Sequence, residues 1–175
     1  MGLNINSTNP RSYQEIANEN LKILYDCGIS KLYHMTDTSN LPSINKSGGL
    51  LSLKEQLQKG VTANRPGGNR LSRKLALGLD RTDYVSLTWN RNHPMFSAVV
   101  KQRRLPSPVL IEIDLRVVRL PGVRYSFDNA TKQVHLWTVL TDTQMKELTH
   151  RQSEVLIPKK VPSKLFLKKL AVTHM

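Results

Sequence analysis

Residues 32–44 read LYHMTDTSNLPSI, a stretch that passes from a predicted strand directly into a predicted helix. The strand, KLYHM at 31–35, contains His34 and runs into a turn of Thr, Asp, Ser and Asn residues. An imidazole at that position lies at the mouth of a sheet, beside a helix N-terminus. There it could donate a hydrogen bond to a ribose hydroxyl or a phosphate. A structural histidine at the end of a strand is the simpler interpretation.

Short helices are predicted on both sides of this stretch, and capping residues indicate where they begin. Two of them start with a serine followed three residues later by a glutamate, which is the capping-box spacing. The predicted helices are 12–26 (Ser12, Glu15), one from Thr38 or Asn40 with Pro42 in its first turn that ends at Gly48-Gly49, 52–60 (Ser52, Glu55), 92–102 with its cap near Asn92, and a short helix from Asp142.

Strands dominate the second half of the chain. The clearest is PVLIEIDLRVV at 108–118, which is continuous, branched and apolar. The others are YVSLTW (84–89), GVRYSF (122–127), SEVLI (153–157) and KLFLKKLAV (164–172). Early helices and late strands predict an α+β fold. We expect a single domain at 1–175, with an N-terminal helix at 12–26 and a core at 31–172.

Charge gives the first indication of function. The chain has 26 Lys and Arg residues against 13 Asp and Glu residues, a formal net charge of +13, and its pI is about 10.1. A surface that basic attracts nucleic-acid phosphates, although a basic protein without that function is an alternative. The excess lies mainly at 65–74, 101–104, 116–124 and 159–169.

Several classes of protein are disfavoured by what the sequence lacks. A single cysteine, Cys27, excludes an internal disulfide framework and a cysteine-built zinc site, and the histidines have no metal-ligand spacing. No apolar run is long enough to span a bilayer, and the first residues do not resemble a secretory signal. We therefore expect a cytoplasmic protein without a metal and without membrane association, and a monomer as the default.

Standard nucleotide-binding and hydrolase motifs are also missing, including the P-loop, G-x-G-x-x-G and G-x-S-x-G. Gly67-Gly68 in RPGGNR could approach a phosphate, but a flexible turn is the more common role of such a pair. Two polar groups remain: the turn NRNHPM (90–95) after a strand, and Glu154 in RQSEVLIPKKVP (151–162). A lone glutamate in a strand usually faces solvent, so Glu154 alone does not distinguish a surface charge from a catalytic acid.

Together these segments resemble the DarT family of toxins, which use NAD⁺ to ADP-ribosylate nucleic-acid bases. The resemblance spans about Leu32 to Val172 and depends on the order of the conserved blocks. These are Y-H-x-T-x-x-x-N-L-P-x-I, G-G-L-L-S, N-x-x-x-P-M, V-L-I-E-I-D-L, F-D-N-A and R-Q-x-E-V-L-I-P-x-x-V-P.

The resemblance implies an ADP-ribosyltransferase core in which two small split antiparallel sheets form an NAD⁺ cleft. It implies that Glu154 is the catalytic glutamate. The residues implied to bind NAD⁺ are His34, Thr36, Asn40, Leu41, Gly49, Leu50, Tyr84, Asn90 and Met95. Segment 126–137 would lead to the substrate-recognition loop.

The implied chemistry is cleavage of the nicotinamide–ribose bond through an oxocarbenium-like transition state, which a carboxylate stabilises. The implied partners are NAD⁺ as substrate, single-stranded DNA, and a macrodomain antitoxin. Basic residues beside Glu154 are expected to keep it ionised. The residues expected to bind nucleic acid are Lys54, Arg65, Arg70, Arg73, Arg91, Arg151, Lys159 and Lys160.

The sequence departs from the family pattern on the substrate side. An arginine often follows the G-L-L-S block in the family, whereas Leu53 and Lys54 stand here. Either Lys54 substitutes for it, or Arg65, Arg70 or Arg73 supplies the charge, and lysine does not match the forked donor of arginine. Two alternatives therefore stay open: the same reaction on RNA bases, and a nucleic-acid-binding module of the same fold without catalytic activity.

Overall fold

The computed structural model of the chain describes residues 11–66, 81–128, 135–147 and 152–172. Within these ranges five α-helices are present: α1 Tyr13–Asp26, α2 Leu41–Lys46, α3 Leu53–Gln58, α4 Pro94–Lys101 and α5 Asp142–Glu147. Ser12 caps α1 in a full capping box with Glu15, and Ser52 caps α3, as the serine–glutamate spacing predicts. No helix in this part of the chain is both long and apolar enough to cross a membrane.

In the described residues, eight strands pair in antiparallel fashion into three small sheets. One three-stranded sheet has the order β1-β4-β8, a second has the order β3-β6-β5, and β2 pairs with β7. The strands are β1 Lys31–Asp37, β2 Gly49–Leu51, β3 Tyr84–Leu87, β4 Pro108–Asp114, β5 Arg124–Ser126, β6 Glu154–Pro158, β7 Lys160–Pro162 and β8 Phe166–Ala171. The predicted α+β class is confirmed.

Most boundaries differ from the sequence prediction by a few residues, and the short strands β2 and β7 are absent from that prediction. The strand expected at 108–118 ends at Asp114, whose carboxylate accepts a hydrogen bond from the Arg116 amide (2.8 Å) and starts a 3₁₀ turn, Leu115–Arg119. The apolar run continues because Val117 and Val118 in that turn are also buried in the core. The cap of α4 is His93 and not the neighbouring asparagine.

The two three-stranded sheets meet at a single pair of residues. Tyr33 of β1 and Thr88, just after β3, exchange both backbone hydrogen bonds (2.7 and 3.0 Å). Beyond this bridge the sheets diverge, since β1 continues to pair with β4 while β3 pairs with β6. The split places the end of β1 and the start of β6 on either side of β3, and this geometry creates the cleft described below.

The main hydrophobic core lies between the sheets and α1, and a smaller cluster lies beneath α4. Helix α1 is attached to the rest of the fold by Asn20, which is 3% exposed. Its amide donates to the Thr138 carbonyl (2.8 Å) and accepts from the Leu140 backbone amide (2.8 Å). A buried side chain that satisfies two backbone groups in this way fixes the segment before α5 against α1.

Candidate active site

A cleft of about 420 Å³ opens where the sheets diverge. Its walls come from β1, from α2 and α3 with the loop at 61–66, from β3, and from α4. That volume is within the range typical of small-molecule sites, and the mainly apolar lining with a few polar groups is also typical. Eight of the residues expected to bind NAD⁺ or act in catalysis line this cleft: His34, Thr36, Asn40, Gly49, Leu50, Tyr84, Met95 and Glu154.

His34 projects from β1 toward β3, and its protonation follows from one contact. The Nδ1 atom lies 3.1 Å from the Ser86 carbonyl. Because a carbonyl can only accept, Nδ1 carries the proton and Nε2 is left as the acceptor of a ring that lines the cleft. Burial lowers the pKa of His34, and this effect is larger than the opposite effect of the Ser86 carbonyl. The ring is therefore neutral at neutral pH. The expected donor role is therefore replaced by an acceptor role, which suits a ribose hydroxyl.

Glu154 is the first residue of β6 and lies opposite Ser126 of β5. Immediately before it, Ser153 is almost fully buried. The Ser153 carbonyl accepts a hydrogen bond from Thr88 Oγ1 (3.3 Å), and its hydroxyl donates to the Phe127 carbonyl (3.0 Å). The backbone leading into Glu154 is thus held from both neighbouring strands, which places the partly buried carboxylate in the cleft.

Two of the basic residues expected beside Glu154 lie at the far end of its strand. Lys159 and Lys160 follow the far end of β6, and at about 3.3 Å per residue an extended strand separates them widely from Glu154. Lys160 Nζ instead donates to the Ser47 carbonyl (2.7 Å). Arg81 is one cation that interacts electrostatically with Glu154: burial lowers the pKa of the Arg81 guanidinium, and the carboxylate opposes that shift. Sequence reasoning missed Arg81, because only the fold brings it near β6.

Asn40 and Thr36 form hydrogen bonds that hold one wall of the cleft in place. Asn40 is 4% exposed. Its amide nitrogen donates to Thr36 Oγ1 (3.1 Å) and to the Arg65 carbonyl (2.7 Å), while its Oδ1 accepts from the Arg65 backbone amide (3.0 Å). Asn64 adds a bond to the Ser39 carbonyl (2.8 Å). These bonds fix residues 61–66 beside the cleft, so Asn40 contributes to the site through the loop it holds.

Gly49 allows the closest approach between two strands in this wall. Its φ is +147°, and a Cβ at this position would lie 2.1 Å from the Val161 carbonyl oxygen. Only glycine fits such a contact between β2 and β7. The neighbouring Leu50 is buried and lines the cleft.

Two of the expected NAD⁺-binding residues do not line the cleft. Leu41 packs against the main core instead. The Asn90 side chain accepts a hydrogen bond from the Asn92 backbone amide (2.9 Å), which stabilises the turn before α4. The expectation that these two residues bind NAD⁺ stays a prediction.

The basic residues expected to bind nucleic acid occupy different surroundings. Lys54 forms an ion pair with Asp83 (2.9 Å) and is not among the residues that line the cleft. Arg65 is exposed and lines the cleft mouth, and Arg91 is exposed in the turn before α4. Arg70, Arg73, Arg151 and the pair Gly67-Gly68 lie outside the described residues. No group of three or more potential metal ligands occurs among the residues that the structure describes.

The family comparison matches most of the chain. Residues 33–174 match the model of DarT, described as an ssDNA thymidine ADP-ribosyltransferase. Helix α1 precedes the matched residues. The comparison with curated protein sequences returned no significant match.

Solved structures support the same fold at low sequence identity. The DarT of Thermus sp. 2.9 in complex with ADP-ribosylated ssDNA is similar with a TM-score of 0.64 and 15% identity, covering 81% of both chains. Its complex with NAD⁺ gives 0.61 and 15%, covering 83% of both chains. Thermosipho africanus DarTG in complex with ADP-ribose gives 0.68 and 14%, covering 83% of this chain and 44% of that one.

Proposed function

The chain belongs to the DarT family of ssDNA thymidine ADP-ribosyltransferases, and on that premise we propose that its cleft binds NAD⁺ and that Glu154 is the catalytic carboxylate. One observation carries the proposal. His34 and Glu154, which lie near opposite ends of the family match, line the same cleft from either side of β3. A neutral acceptor and a partly buried carboxylate on one concave surface suit a sugar that develops positive charge.

The described residues fit NAD⁺, which is the ADP-ribose donor in this reaction. His34 Nε2 would accept a hydrogen bond from a ribose hydroxyl, because Nδ1 is committed to Ser86. Leu50, Tyr84 and Met95 supply flat or flexible apolar surface for the rings. The Thermus sp. 2.9 DarT complexes with NAD⁺ and with ADP-ribosylated ssDNA support both the donor and the acceptor.

The reaction begins when the bond between nicotinamide and the ribose carbon breaks. The bonding electron pair leaves with nicotinamide, whose ring nitrogen loses its positive charge, and the ribose gains oxocarbenium character. Glu154 would stabilise this cation electrostatically. Because the carboxylate lies in a partly buried cleft, the interaction is stronger than it would be in water.

The acceptor is a thymine base. The ring nitrogen of thymine that is not bonded to deoxyribose carries a proton, so its attack on the ribose carbon requires that proton to leave. Glu154, which lines the cleft, would accept it as a general base. An unpaired thymine is accessible without the cost of extruding it from a duplex, which favours single-stranded DNA. Arg65 at the cleft mouth would hold the phosphate backbone.

The test is incubation with NAD⁺ and one of three oligonucleotides: DNA with a single thymidine, DNA without thymidine, and the uridine RNA equivalent. Mass spectrometry should detect one ADP-ribose on the first. Glu154→Gln should lower kcat by about 10²–10⁴, the range of a single acid–base group. The matched control is Glu19→Gln, which should retain full activity. Glu19 is an exposed carboxylate on α1 that pairs with Arg11.

Other outcomes separate the alternatives. Modification of the RNA in preference to DNA would replace DNA as the substrate. Oligonucleotide binding without an adduct or nicotinamide release would indicate a binding module. A fully active Glu154→Gln variant would remove Glu154 from the mechanism.

We further propose that the chain acts as the toxin of a toxin–antitoxin pair in the cytoplasm, countered by a macrodomain protein that removes the modification. Membership in the family supports this role. Co-expression would test it: the toxicity of the wild-type chain should disappear with Glu154→Gln or with a macrodomain hydrolase.

A further inference from the structure

Trp137 is an exposed aromatic residue that the proposed reaction does not use. The other tryptophan, Trp89, packs against the main core, whereas 38% of Trp137 is exposed. A single exposed apolar residue needs no explanation. Trp137 is not isolated, however, because two further rings lie against it and its backbone is fixed. An indole that is held in place and yet left in water indicates a binding surface.

Three rings form this surface, which we call the aromatic platform: Phe127, His135 and Trp137. The ring centroids of His135 and Trp137 lie 4.3 Å apart in an edge-to-face arrangement. The Phe127 ring lies 6.2 Å from the indole and is tilted by 39°. Phe127 packs against the main core, and His135 is exposed. The platform therefore extends from the core to solvent, with the indole supported by both neighbours.

The backbone of Trp137 is fixed on two sides. Trp137 and Tyr125 of β5 exchange both backbone hydrogen bonds (2.8 and 2.9 Å), and Tyr125 is fully buried. The carbonyl of the next residue, Thr138, accepts a hydrogen bond from the Asn20 side chain of α1 (2.8 Å). A ring that is already ordered loses little conformational entropy when a ligand stacks on it, so the platform is preorganised.

The platform lies beside the strand of Glu154, but its indole projects to the other face of the sheet. Tyr125 pairs with Trp137 on one side and with Val155 of β6 on the other. Paired residues project to the same face, and Glu154, one residue before Val155, projects to the opposite face. Two strand spacings separate the backbones of Trp137 and Val155 by about 10 Å. The indole therefore does not reach the base at Glu154, but a neighbouring nucleotide of the same strand can reach the indole.

We propose that the aromatic platform stacks one unpaired DNA base that flanks the modified thymidine. This role rests on the proposed reaction with single-stranded DNA. Every base has a flat π face, and stacking on an aromatic side chain stabilises a bound single strand without reading its sequence. The net charge of +13 attracts the phosphates of that strand. In a duplex the faces of the bases are covered by their neighbours, so the platform favours single strands.

The experiment pairs a change in the protein with a change in the DNA. The ligands are a labelled DNA oligomer with a single thymidine and a series of the same oligomer in which one flanking nucleotide at a time is abasic. Binding to the wild-type chain and to Trp137→Leu is measured by fluorescence anisotropy without NAD⁺. Leucine keeps an apolar cover over the core and removes the flat ring. The matched control is Tyr25→Leu, because Tyr25 is an exposed aromatic residue near the end of α1.

One abasic position should raise the wild-type Kd about tenfold, within the range of one base–aromatic stack. Trp137→Leu should raise the Kd of the intact oligomer about as much and lose its sensitivity to that position, because the two changes remove the same contact. Tyr25→Leu should behave as wild type. An unchanged Kd in Trp137→Leu would overturn the proposal, and so would losses that add independently at every abasic position.

A second measurement uses the unaltered chain and does not depend on the folding of a variant. Acrylamide quenches the fluorescence of exposed tryptophan, and saturation with the intact oligomer should protect Trp137 from this quenching. The oligomer that is abasic at the sensitive position should give less protection at equal saturation. Equal protection by the two oligomers would contradict stacking on the indole.

The adduct assay with NAD⁺ keeps this proposal distinguishable from the proposed function. If the thymidine oligomer gains ADP-ribose and the effects of Trp137→Leu and of the abasic positions are additive, only the platform fails. If no adduct forms and the two changes are coupled, the proposed reaction fails, and the platform stands as a surface that binds single-stranded DNA.

Discussion

The imidazole of His34 illustrates how one backbone contact defines the chemistry of a side chain. Its Nδ1 donates to the Ser86 carbonyl, so the tautomer is set and Nε2 can only accept. A histidine at the end of a strand is common, and its sequence position alone does not distinguish donor from acceptor. The neighbouring strand makes that distinction, and it makes His34 suited to hydroxyl groups and unsuited to phosphate.

His34→Asn should separate the two nitrogens of this ring. Asparagine can retain the donor to Ser86 but has no acceptor at the Nε2 position. We expect KM for NAD⁺ to rise about tenfold, which corresponds to the loss of one hydrogen bond worth about 1.4 kcal/mol. Steady-state kinetics with varied NAD⁺ measure the effect. An unchanged KM would show that Nε2 does not contact NAD⁺, provided that thermal unfolding shows an intact fold.

At the scale of elements, the cleft depends on a loop that has no regular structure of its own. Residues 61–66 follow α3 and are held against the start of α2 by Asn40 and Asn64. Irregular backbone beside a site must have its polar groups satisfied by side chains, and Asn40 satisfies both backbone groups of Arg65. The asparagine of the first family block is thus explained by the loop it fixes.

Asn40→Asp should weaken this wall. An aspartate can still accept from the Arg65 amide, but it cannot donate to Thr36 or to the Arg65 carbonyl. We expect the free energy of unfolding to fall by about 1–3 kcal/mol, the cost of leaving buried polar groups unsatisfied. Denaturant titration measures this value. Asn45→Asp is the matched control, since Asn45 is exposed on α2 and its side chain accepts a hydrogen bond from Lys169. An equal loss of unfolding free energy in this variant would contradict the explanation.

At the scale of the whole molecule, the net charge of +13 makes DNA binding depend on salt. For single strands, the logarithm of the binding constant should fall with the logarithm of salt concentration by about 0.7 per neutralised phosphate. Arg65→Gln should reduce that slope by about 0.7 if Arg65 binds one phosphate, as proposed above. Lys22→Gln, on α1 and paired with Asp26, should leave the slope unchanged. Fluorescence anisotropy with a labelled oligomer tests both, and equal slopes in the two variants would exclude Arg65 from phosphate binding.

Stability should also decrease in mild acid. Burial lowers the pKa of both His34 and His93 in the folded chain, whereas unfolded histidines titrate near 6.5. Above that pH neither state binds the proton, and stability is unaffected. Below it the unfolded state binds more protons, so the free energy of unfolding falls by at most about 1.4 kcal/mol per pH unit for each histidine, and levels off below the folded pKa.

Denaturant titration of the wild-type chain between pH 8 and pH 5 measures this effect. The double variant His34→Asn/His93→Asn should show a flatter profile over the same interval. The carboxylates whose pKa is lowered, Asp37 among them, titrate at lower pH and do not confuse the comparison. An identical profile for the two proteins would contradict the assignment.

Much of the fold and the central residues of the site followed from local patterns. The capping box at Ser12 and the serine cap of α3 located two helices. Alternation or continuous apolar runs located the strands of the two three-stranded sheets. These signals act between residues a few positions apart, so the sequence contains them directly. The order of the sequence blocks that resemble the DarT family then pointed to His34 and Glu154.

The roles of neighbouring side chains needed the folded structure. Glu154 lies within electrostatic range of Arg81, and Asn40 is hydrogen-bonded to a distant loop, only in the folded chain. Lys159 and Lys160 are close to Glu154 in sequence, but the length of the extended strand β6 separates them from it. Contacts between distant segments depend on pairing register and on the divergence of two sheets, and no local pattern encodes those distances.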